Sequence, residues 1–284
     1  MNNLLLISSK SCPFAHRIEI VINLLRLSNI VKVIWCDPEF RFTGWKLDYN
    51  YNGSNAKQVF QVDTLPELYK IANPEYVGRY TLPVLYDTEQ KKIISNESNE
   101  ILTILSNYDN KINLNPVRLQ NVIKVFCDEF GTEICTNTYR TGHAKTQQEY
   151  ISLYNGVFNY LEKLDHNLAK EDYILSTDTI TLADIYAFAH LIRFDCVFYD
   201  LFKLNKKHLW EFENIRMYLS KLLKNNAFAS TVDLDEIKKG AFLSENNRPE
   251  NMGCLKVPHG NGGFENYYGE TWGETPHNPQ KIYF

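Results

Sequence analysis

The most informative gap in this sequence is the absence of a cysteine pair. Six cysteines are scattered over the chain: Cys12, Cys36, Cys127, Cys135, Cys196 and Cys254. None forms a CxxC motif, and no spacing among them suits a zinc site or a disulfide framework. We therefore predict a reducing compartment, the cytoplasm, and no bound metal.

Three further absences argue against whole classes of function. No apolar run approaches the roughly 18 to 20 residues that a membrane-spanning helix needs, so no membrane segment is predicted. The first ten residues, MNNLLLISSK, lack the charged start and long apolar core of a secretory signal. The formal net charge is −4 over 284 residues, and no basic stretch alternates with aromatic residues. A nucleic-acid partner is therefore not expected.

What the sequence does contain is a change of pattern near its middle. The first part predicts, in order, a strand (4–8), a helix (15–28), a strand (31–35), a helix (64–72), two strands (80–87 and 91–95) and a helix (96–107). This order is typical of a small mixed sheet with helices on its faces. After Pro116 the pattern is helical, with helices predicted over 117–135, 146–169, 181–197 and 211–226. We expect an α/β domain over 1–110, an all-α domain over 116–242, and an aromatic, glycine-rich tail over 243–284 that packs on the body.

Cys12 lies where the first predicted strand gives way to the first helix, in the stretch SCPFAHR. Pro13 occupies the position that proline favours at a helix start. A thiolate there faces unpaired backbone N–H groups and the positive end of the helix dipole, and both lower its pKa. Ala15 stands where a second cysteine would resolve a mixed disulfide, so a catalytic cycle needs an external thiol bound beside Cys12.

Two further motifs suit a site for such a thiol. In TLPV (81–84) a proline interrupts an apolar strand, which predicts a cis bond before Pro83 and leaves the Leu82 backbone free to pair with an extended peptide. An ordinary edge-strand proline is the alternative. In NES (96–98) Ser98 and nearby N–H groups can bind a carboxylate, and Glu97 can accept a hydrogen bond from an ammonium group. Simple helix capping explains NES alone equally well.

In this order, the cysteine, TLP and NES motifs resemble those of a known family. SCPFAHR is similar to the CPWAHR motif of the xi-class glutathione transferases, the glutathionyl-hydroquinone reductases, with Phe14 in place of tryptophan. GRYTLPVLYD (78–87) and NESNEI (96–101) resemble the GRVTVPVLWD and NESSEI stretches of that class. Stretches in the helical half agree as well, among them NTYRTGHAKTQQEY (137–150) and TLADIYAFAHLIRFDCVF (181–198). The resemblance covers roughly residues 4 to 240.

The resemblance implies a thioredoxin-like N-terminal domain, an all-α C-terminal domain and a homodimer. It implies that Cys12 takes glutathione from a quinone-like aromatic conjugate and that glutathione is the co-substrate, with no metal. Tyr139 would line the acceptor pocket and donate a hydrogen bond or a proton. The residues implied to contact glutathione are Phe14, Trp45, Arg79, Leu82, Pro83, Glu97 and Ser98.

The acceptor side departs from the class. An IKxHYY-like stretch of the class carries tyrosines that face the substrate, whereas DEIKKGAFLS (235–244) offers Gly240, Ala241 and Phe242. Aromatic residues of the tail, Tyr267, Tyr268 and Trp272, would refill or cover the acceptor pocket, or pack on the surface. Two alternatives therefore stay open. One is a thiol transferase acting on disulfides or a specialised metabolite, and the other is a glutathione-binding or structural protein without turnover.

Overall fold

The computed structural model of the protein describes residues 4–108, 112–175 and 178–247, together with the backbone of Lys256–Pro258 and Phe264–Asn266. The chain divides into two compact units. The first contains Met1–Asn113 and Asn226–Asn247, and the second contains Leu114–Asn225 and the residues from Arg248 onward. The segment 226–242, which the sequence assigned to the helical domain, therefore groups with the first unit. The predicted packing of the tail, with Tyr267, Tyr268 and Trp272, lies outside the described residues.

A four-stranded mixed sheet forms the centre of the first unit, in the order β2-β1-β3-β4. The strands are β1 (Leu4–Ser8), β2 (Val31–Trp35), β3 (Val84–Asp87) and β4 (Lys92–Ser95). β1 pairs in parallel with β2 and antiparallel with β3, and β3 pairs antiparallel with β4. All five residues of β1 are buried, as expected for a central strand that helices cover on both faces. This is the arrangement that a thioredoxin-like domain requires.

In the part of the first unit that the structure describes, the α-helices are α1 (Pro13–Leu24), α2 (Ala56–Phe60), α3 (Leu65–Ala72), α4 (Ser98–Ser106), α11 (Asn226–Ala229) and α12 (Leu234–Leu243). Thr64 caps α3 as predicted, and Glu67 completes a capping box by accepting from the Thr64 backbone N–H at 3.3 Å. The predicted strand 80–87 is shorter than expected, because the chain reaches the sheet only after Pro83, which has no N–H to donate to a ladder.

The second unit is helical over its described residues, apart from the antiparallel strands β5 (Lys256–Pro258) and β6 (Phe264–Asn266). Its α-helices are α5 (Gln120–Phe130), α6 (Asn137–Gly142), α7 (Gln147–Leu168), α8 (Leu182–Leu191), α9 (Tyr199–Leu201) and α10 (Glu213–Leu223). Two predicted helices end early, because the backbone changes to a π-helix over Gly131–Thr136 and again over Phe194–Phe198. The predicted cap of α8 is present, with the Thr181 N–H donating to the Asp184 carboxylate at 2.8 Å. Among the helices of the described residues, none is both long and apolar enough to cross a bilayer.

Candidate active site

Cys12 is the N-cap of α1, where the sequence predicted it. Its backbone N–H donates to Ser9 O at 3.0 Å, and its own carbonyl accepts the first helical bond from His16 N at 3.1 Å. Pro13 occupies the first turn of the helix, so the predicted junction of strand, cysteine and helix is confirmed. The Cys12 side chain is 8 % exposed, and its Sγ lies 3.7 Å from the carbonyl oxygen of Leu82. The thiol therefore stands directly beside the TLP corner.

The peptide bond between Leu82 and Pro83 is cis, as predicted. Immediately before it, the Thr81 carbonyl accepts a hydrogen bond from the hydroxyl of the buried Tyr69 at 2.8 Å. Immediately after it, Val84 enters β3 and pairs with Ile7 of the central strand. The corner is thus held on both sides by buried neighbours.

A pocket with a volume of about 410 Å³ opens next to this corner. Its lining consists of Phe14, Tyr76, Arg79, Thr81, Leu82, Pro83, Asn96, Glu97 and Ser98. The volume lies within the range of small-molecule sites, about 300 to 1,000 Å³. Six of the seven residues predicted to contact glutathione therefore surround one cavity.

The NES motif forms the start of α4, with Glu97 as its N-cap and Ser98 as its first residue. The Glu97 N–H donates to Ser95 Oγ at 3.1 Å, and that hydroxyl in turn donates to Glu100 at 2.6 Å. The N–H groups of the first turn of a helix have no partner within the helix, which makes this end of the pocket suitable for a carboxylate. Arg79, on the loop between α3 and β3, adds a positive charge to the lining.

The described lining of the pocket includes neither Trp45 nor Cys12. Trp45 is half-buried against the core of the first unit, with its ring 5.4 Å from that of Phe40. Its backbone carbonyl accepts from Leu65 N at 2.9 Å. Gly44 before it has a φ of +102°, and a Cβ there would lie 2.6 Å from Pro66 Cδ, which explains a glycine before this tryptophan.

Tyr139 lies on α6 in the second unit. Its ring packs against Phe198 and Phe202, with centroid distances of 5.7 and 5.2 Å. Its role toward a substrate stays a prediction, as do the roles of the other residues named from the resemblance.

Sequence reasoning missed Tyr76, Thr81 and Asn96 as lining residues. Thr81 and Asn96 were present within the quoted TLP and NES motifs, but no chemistry was assigned to them. Asn96 Nδ2 donates to Thr81 Oγ1 at 3.3 Å and to the Tyr76 hydroxyl at 3.4 Å. Tyr76 lies two residues before GRYTLP and carries no sequence signal of its own. Within the described ranges, no group of three or more His, Cys, Asp or Glu side chains is placed to hold a metal ion.

Comparisons with known proteins agree with this geometry. Residues 11–107 match the N-terminal domain of glutathione S-transferases, and residues 147–220 match the C-terminal domain. The chain is 30 % identical over 241 residues to glutathionyl-hydroquinone reductase YqjG of Escherichia coli (strain K12), covering 83 % of this chain and 73 % of that protein.

Solved structures give the same result. The glutathione-bound structure of YqjG, a glutathione transferase homologue, matches with a TM-score of 0.81 at 30 % identity, covering 85 % of this chain and 80 % of that one. Glutathione transferase Xi 1 from Trametes versicolor matches with a TM-score of 0.82 at 28 % identity, covering 87 % and 88 %. The chain therefore belongs to the xi class of the glutathione transferase family.

Proposed function

We propose that this enzyme removes glutathione from glutathionyl-hydroquinone-like conjugates through a mixed disulfide on Cys12. The observation that carries the proposal is the position of the Cys12 thiol, at a helix N-terminus and 3.7 Å from the Leu82 carbonyl that borders the pocket. The names of relatives support the same reaction class, since one is a glutathionyl-hydroquinone reductase.

In this proposal the tripeptide lies extended along the cis-proline corner. The Leu82 backbone pairs with the cysteinyl residue of glutathione, as an added strand pairs with a sheet edge. Glu97 accepts from the ammonium group of the γ-glutamyl end, and Ser98 with the first turn of α4 binds a carboxylate. Arg79 neutralises a carboxylate charge, while Phe14, Pro83 and Trp45 provide apolar contacts.

The chemistry balances with two thiols and no metal. The Cys12 thiolate attacks the glutathionyl sulfur, the bond between that sulfur and the aromatic carbon breaks, and a proton is added to the carbon. The products are the free hydroquinone and a disulfide between Cys12 and glutathione. A second glutathione thiolate attacks the glutathione sulfur of this disulfide, which releases oxidised glutathione and restores the Cys12 thiolate. Over the cycle the ring carbon gains two electrons, one from the thioether sulfur of the conjugate and one from the thiol of the second glutathione.

Tyr139 is the residue to which we assign the proton or a hydrogen bond to the acceptor ring. Its phenol is a weak acid that can donate to a carbanion-like centre as the carbon–sulfur bond breaks. This assignment rests on the family resemblance of the stretch around it.

A thiol transferase acting on disulfides is the second candidate. It is favoured by the stretch Gly240–Phe242, where the side chains of Ala241 and Phe242 are buried and provide no tyrosine hydroxyl. A glutathione-binding protein without turnover is the third candidate, and the Cys12 geometry argues against it.

From the family we also infer a homodimer. The cysteines of the described residues are all free thiols, which suits the cytoplasm.

Mass spectrometry and turnover distinguish these candidates. The wild type and Cys12→Ser are incubated with glutathionyl-menadione and excess glutathione. We expect a glutathione adduct on Cys12, menadiol and oxidised glutathione with the wild type, and none of them with Cys12→Ser. An adduct without menadiol, together with turnover of hydroxyethyl disulfide, would favour the thiol transferase. The absence of any adduct would leave a binding role.

A further inference from the structure

A buried polar cluster surrounds the cysteine loop and has no part in the chemistry proposed above. Its members include Lys10, two residues before Cys12, and His16, four residues after it. Their side chains are buried, with total exposures of 8 % and 2 %. Both bind the same residue, Thr231, which lies more than 200 positions further along the chain and is itself 2 % exposed.

Thr231 and His16 are joined by a hydrogen bond of 2.7 Å between Oγ1 and Nε2. The Thr231 hydroxyl has one hydrogen, which it donates to Phe228 O at 2.6 Å. It therefore accepts from His16, whose ring carries a proton on Nε2. His16 also closes the first turn of α1, because its backbone N–H donates to Cys12 O. Any shift of this imidazole is thus transmitted to the residue that carries the thiol.

Lys10 is held on the other side of the cysteine. Its Nζ donates to the Thr231 carbonyl at 3.1 Å and to Glu19 at 2.9 Å, and lies 4.2 Å from the centre of the Trp35 ring. Glu19 also accepts from the Ser8 hydroxyl at 2.7 Å. A buried ammonium group with a buried carboxylate is stable only when both are paired in this way. The loop from Ser8 to Cys12 therefore has one well-defined position.

The same C-terminal segment also contacts the loop through α12. A Cβ at Gly240 would lie 2.2 Å from Ser11 Cβ and 2.5 Å from Pro38 O, so the helix touches the residue before Cys12. Ser11 Oγ donates to Pro38 O at 2.7 Å. Residues 226–247 therefore cover the loop on which the thiol depends.

We propose that Thr231 is a positioning residue for Cys12. By binding Lys10 before the cysteine and His16 one turn after it, Thr231 fixes the N-terminus of α1 against the loop and so sets the direction of the thiol. An effect of Thr231 on catalytic turnover rests on the proposed function. An effect of Thr231 on the reactivity of the Cys12 thiol is independent of the proposed function.

The test compares Thr231→Val with the wild type and with Thr231→Ser. Valine keeps the size of the side chain but removes the hydroxyl and leaves the buried His16 N–H without its partner. Two rates are measured on the full chain at pH 7. One is alkylation of Cys12 by iodoacetamide, followed by peptide mapping, and the other is turnover of glutathionyl-menadione.

For Thr231→Val we expect both the alkylation rate and kcat to fall about three- to tenfold, since small misplacements of a reacting group are costly. KM for glutathione should stay within about twofold, because pocket residues 76–98 lie outside the cluster. Thr231→Ser should restore both rates to within about twofold of the wild type. A general loss of stability would also lower the apparent kcat at unchanged KM, but it would expose the buried Cys12 thiol and raise the alkylation rate instead of lowering it.

Ser230→Ala is the matched control. The Ser230 hydroxyl donates to Asn226 O at 2.6 Å and accepts from Asn23 near the far end of α1, so the variant removes a similar contact remote from Cys12. It should leave the alkylation rate unchanged. If Thr231→Val does not fold, His16→Leu removes the same hydrogen bond from its other side and should give the same result.

Two results would overturn the proposal. One is a Thr231→Val (or, in its place, His16→Leu) enzyme whose alkylation rate stays within twofold of the wild type. The other is an equal fall in the rate of Cys12 alkylation in Ser230→Ala. If the wild type does not turn over the conjugate, the proposed function fails, while the alkylation rates still decide the role of Thr231.

Discussion

At the scale of single residues, the Tyr76 hydroxyl connects two sides of the pocket. It donates to Arg79 O at 2.9 Å and accepts from Asn96 Nδ2 at 3.4 Å. The hydrogen bond to Arg79 O holds the loop that carries Arg79. The hydrogen bond from Asn96 connects this loop to the start of α4. A Cβ at Gly78 would lie 2.8 Å from the same hydroxyl, so the loop passes directly over it.

Replacing Tyr76 by phenylalanine should therefore raise KM for glutathione about two- to fivefold, the effect of one net hydrogen bond on positioning. The value of kcat at saturating glutathione should change little, because the cysteine loop does not depend on Tyr76. Steady-state kinetics at varied glutathione measure both quantities. Tyr80→Phe is the control, since Tyr80 packs in the same ring cluster but its hydroxyl makes no hydrogen bond within the described part of the chain. An equal rise in KM for both variants would contradict the assignment.

The second thiol near the site, Cys36, should be inert in the folded protein. Burial raises the pKa of Cys36, and the negative charges of Asp37 and of a Cys12 thiolate raise it further. Only the thiolate reacts with alkylating agents. We expect iodoacetamide to modify Cys36 at least about a hundredfold more slowly in the native protein than in urea, as followed by peptide mapping. Labelling of Cys36 at equal rates in both conditions would show that this part of the core opens freely.

At the scale of elements, the sequence predicted those strands and helix starts that are determined by residues close together in the chain. The strands Leu4–Ser8 and Val31–Trp35 agree with their predicted limits, because short apolar runs bounded by polar residues leave little choice of structure. The capped starts of α3 and α8 were predicted for the same reason. In contrast, α12 was missed, and so was its place in the first unit.

The contacts that hold α12 explain why it was missed. The Tyr49 hydroxyl donates to Glu236 at 2.5 Å, and the Tyr51 hydroxyl donates to Asp233 at 2.6 Å. These partners are separated by 187 and 182 positions along the chain. Each group is an ordinary polar side chain in its own sequence window, so no local pattern indicates the pairing.

Two helical glycines give opposite predictions at this scale. Gly240→Ala should destabilise the protein by about 1 to 3 kcal/mol, because its Cβ would overlap Ser11 and the Pro38 backbone. Gly156→Ala in α7 should stabilise it by about 0.5 to 1 kcal/mol, since a Cβ there meets nothing within 4 Å and alanine favours the helix. Urea unfolding of both variants provides the measurement. A Gly240→Ala protein as stable as Gly156→Ala would show that α12 does not pack closely on the cysteine loop.

At the scale of the whole molecule, the order of three motifs predicted the site better than any single residue did. Cysteine, TLP and NES lie far apart in the sequence, yet the sheet topology brings the helix starts and the cis-proline corner to one end of the sheet. Strand pairing determines that topology, so the three motifs were sufficient to predict the position of the site. Tyr76 and Thr231 contribute through side-chain contacts that depend on the finished fold, and the sequence alone could not predict them.

The pH dependence of stability also belongs to the whole molecule. The carboxylate of Asp195, whose Oδ1 lies 3.7 Å from Nδ1 of His208, raises the pKa of His208 above its usual 6.5, although partial burial acts in the opposite direction. The folded protein therefore holds a proton that the unfolded chain releases. This contribution to stability is complete below pH 6.5 and is lost as the pH rises through the folded-state pKa.

His208→Phe isolates this contribution, because phenylalanine can keep the stacking on Tyr199, at a centroid distance of 3.8 Å, without the charge. The wild type should have the higher urea midpoint at pH 5.5, and the difference should shrink by pH 8.5. A second loss of stability is expected in both proteins above pH 10, since burial raises the pKa of several tyrosines in the folded protein, that of Tyr69 to about 12. Because His208→Phe leaves these phenols in place, the alkaline loss should be equal in the two proteins. A midpoint difference that stays constant from pH 5.5 to 8.5 would show that His208 does not gain its proton from the contact with Asp195.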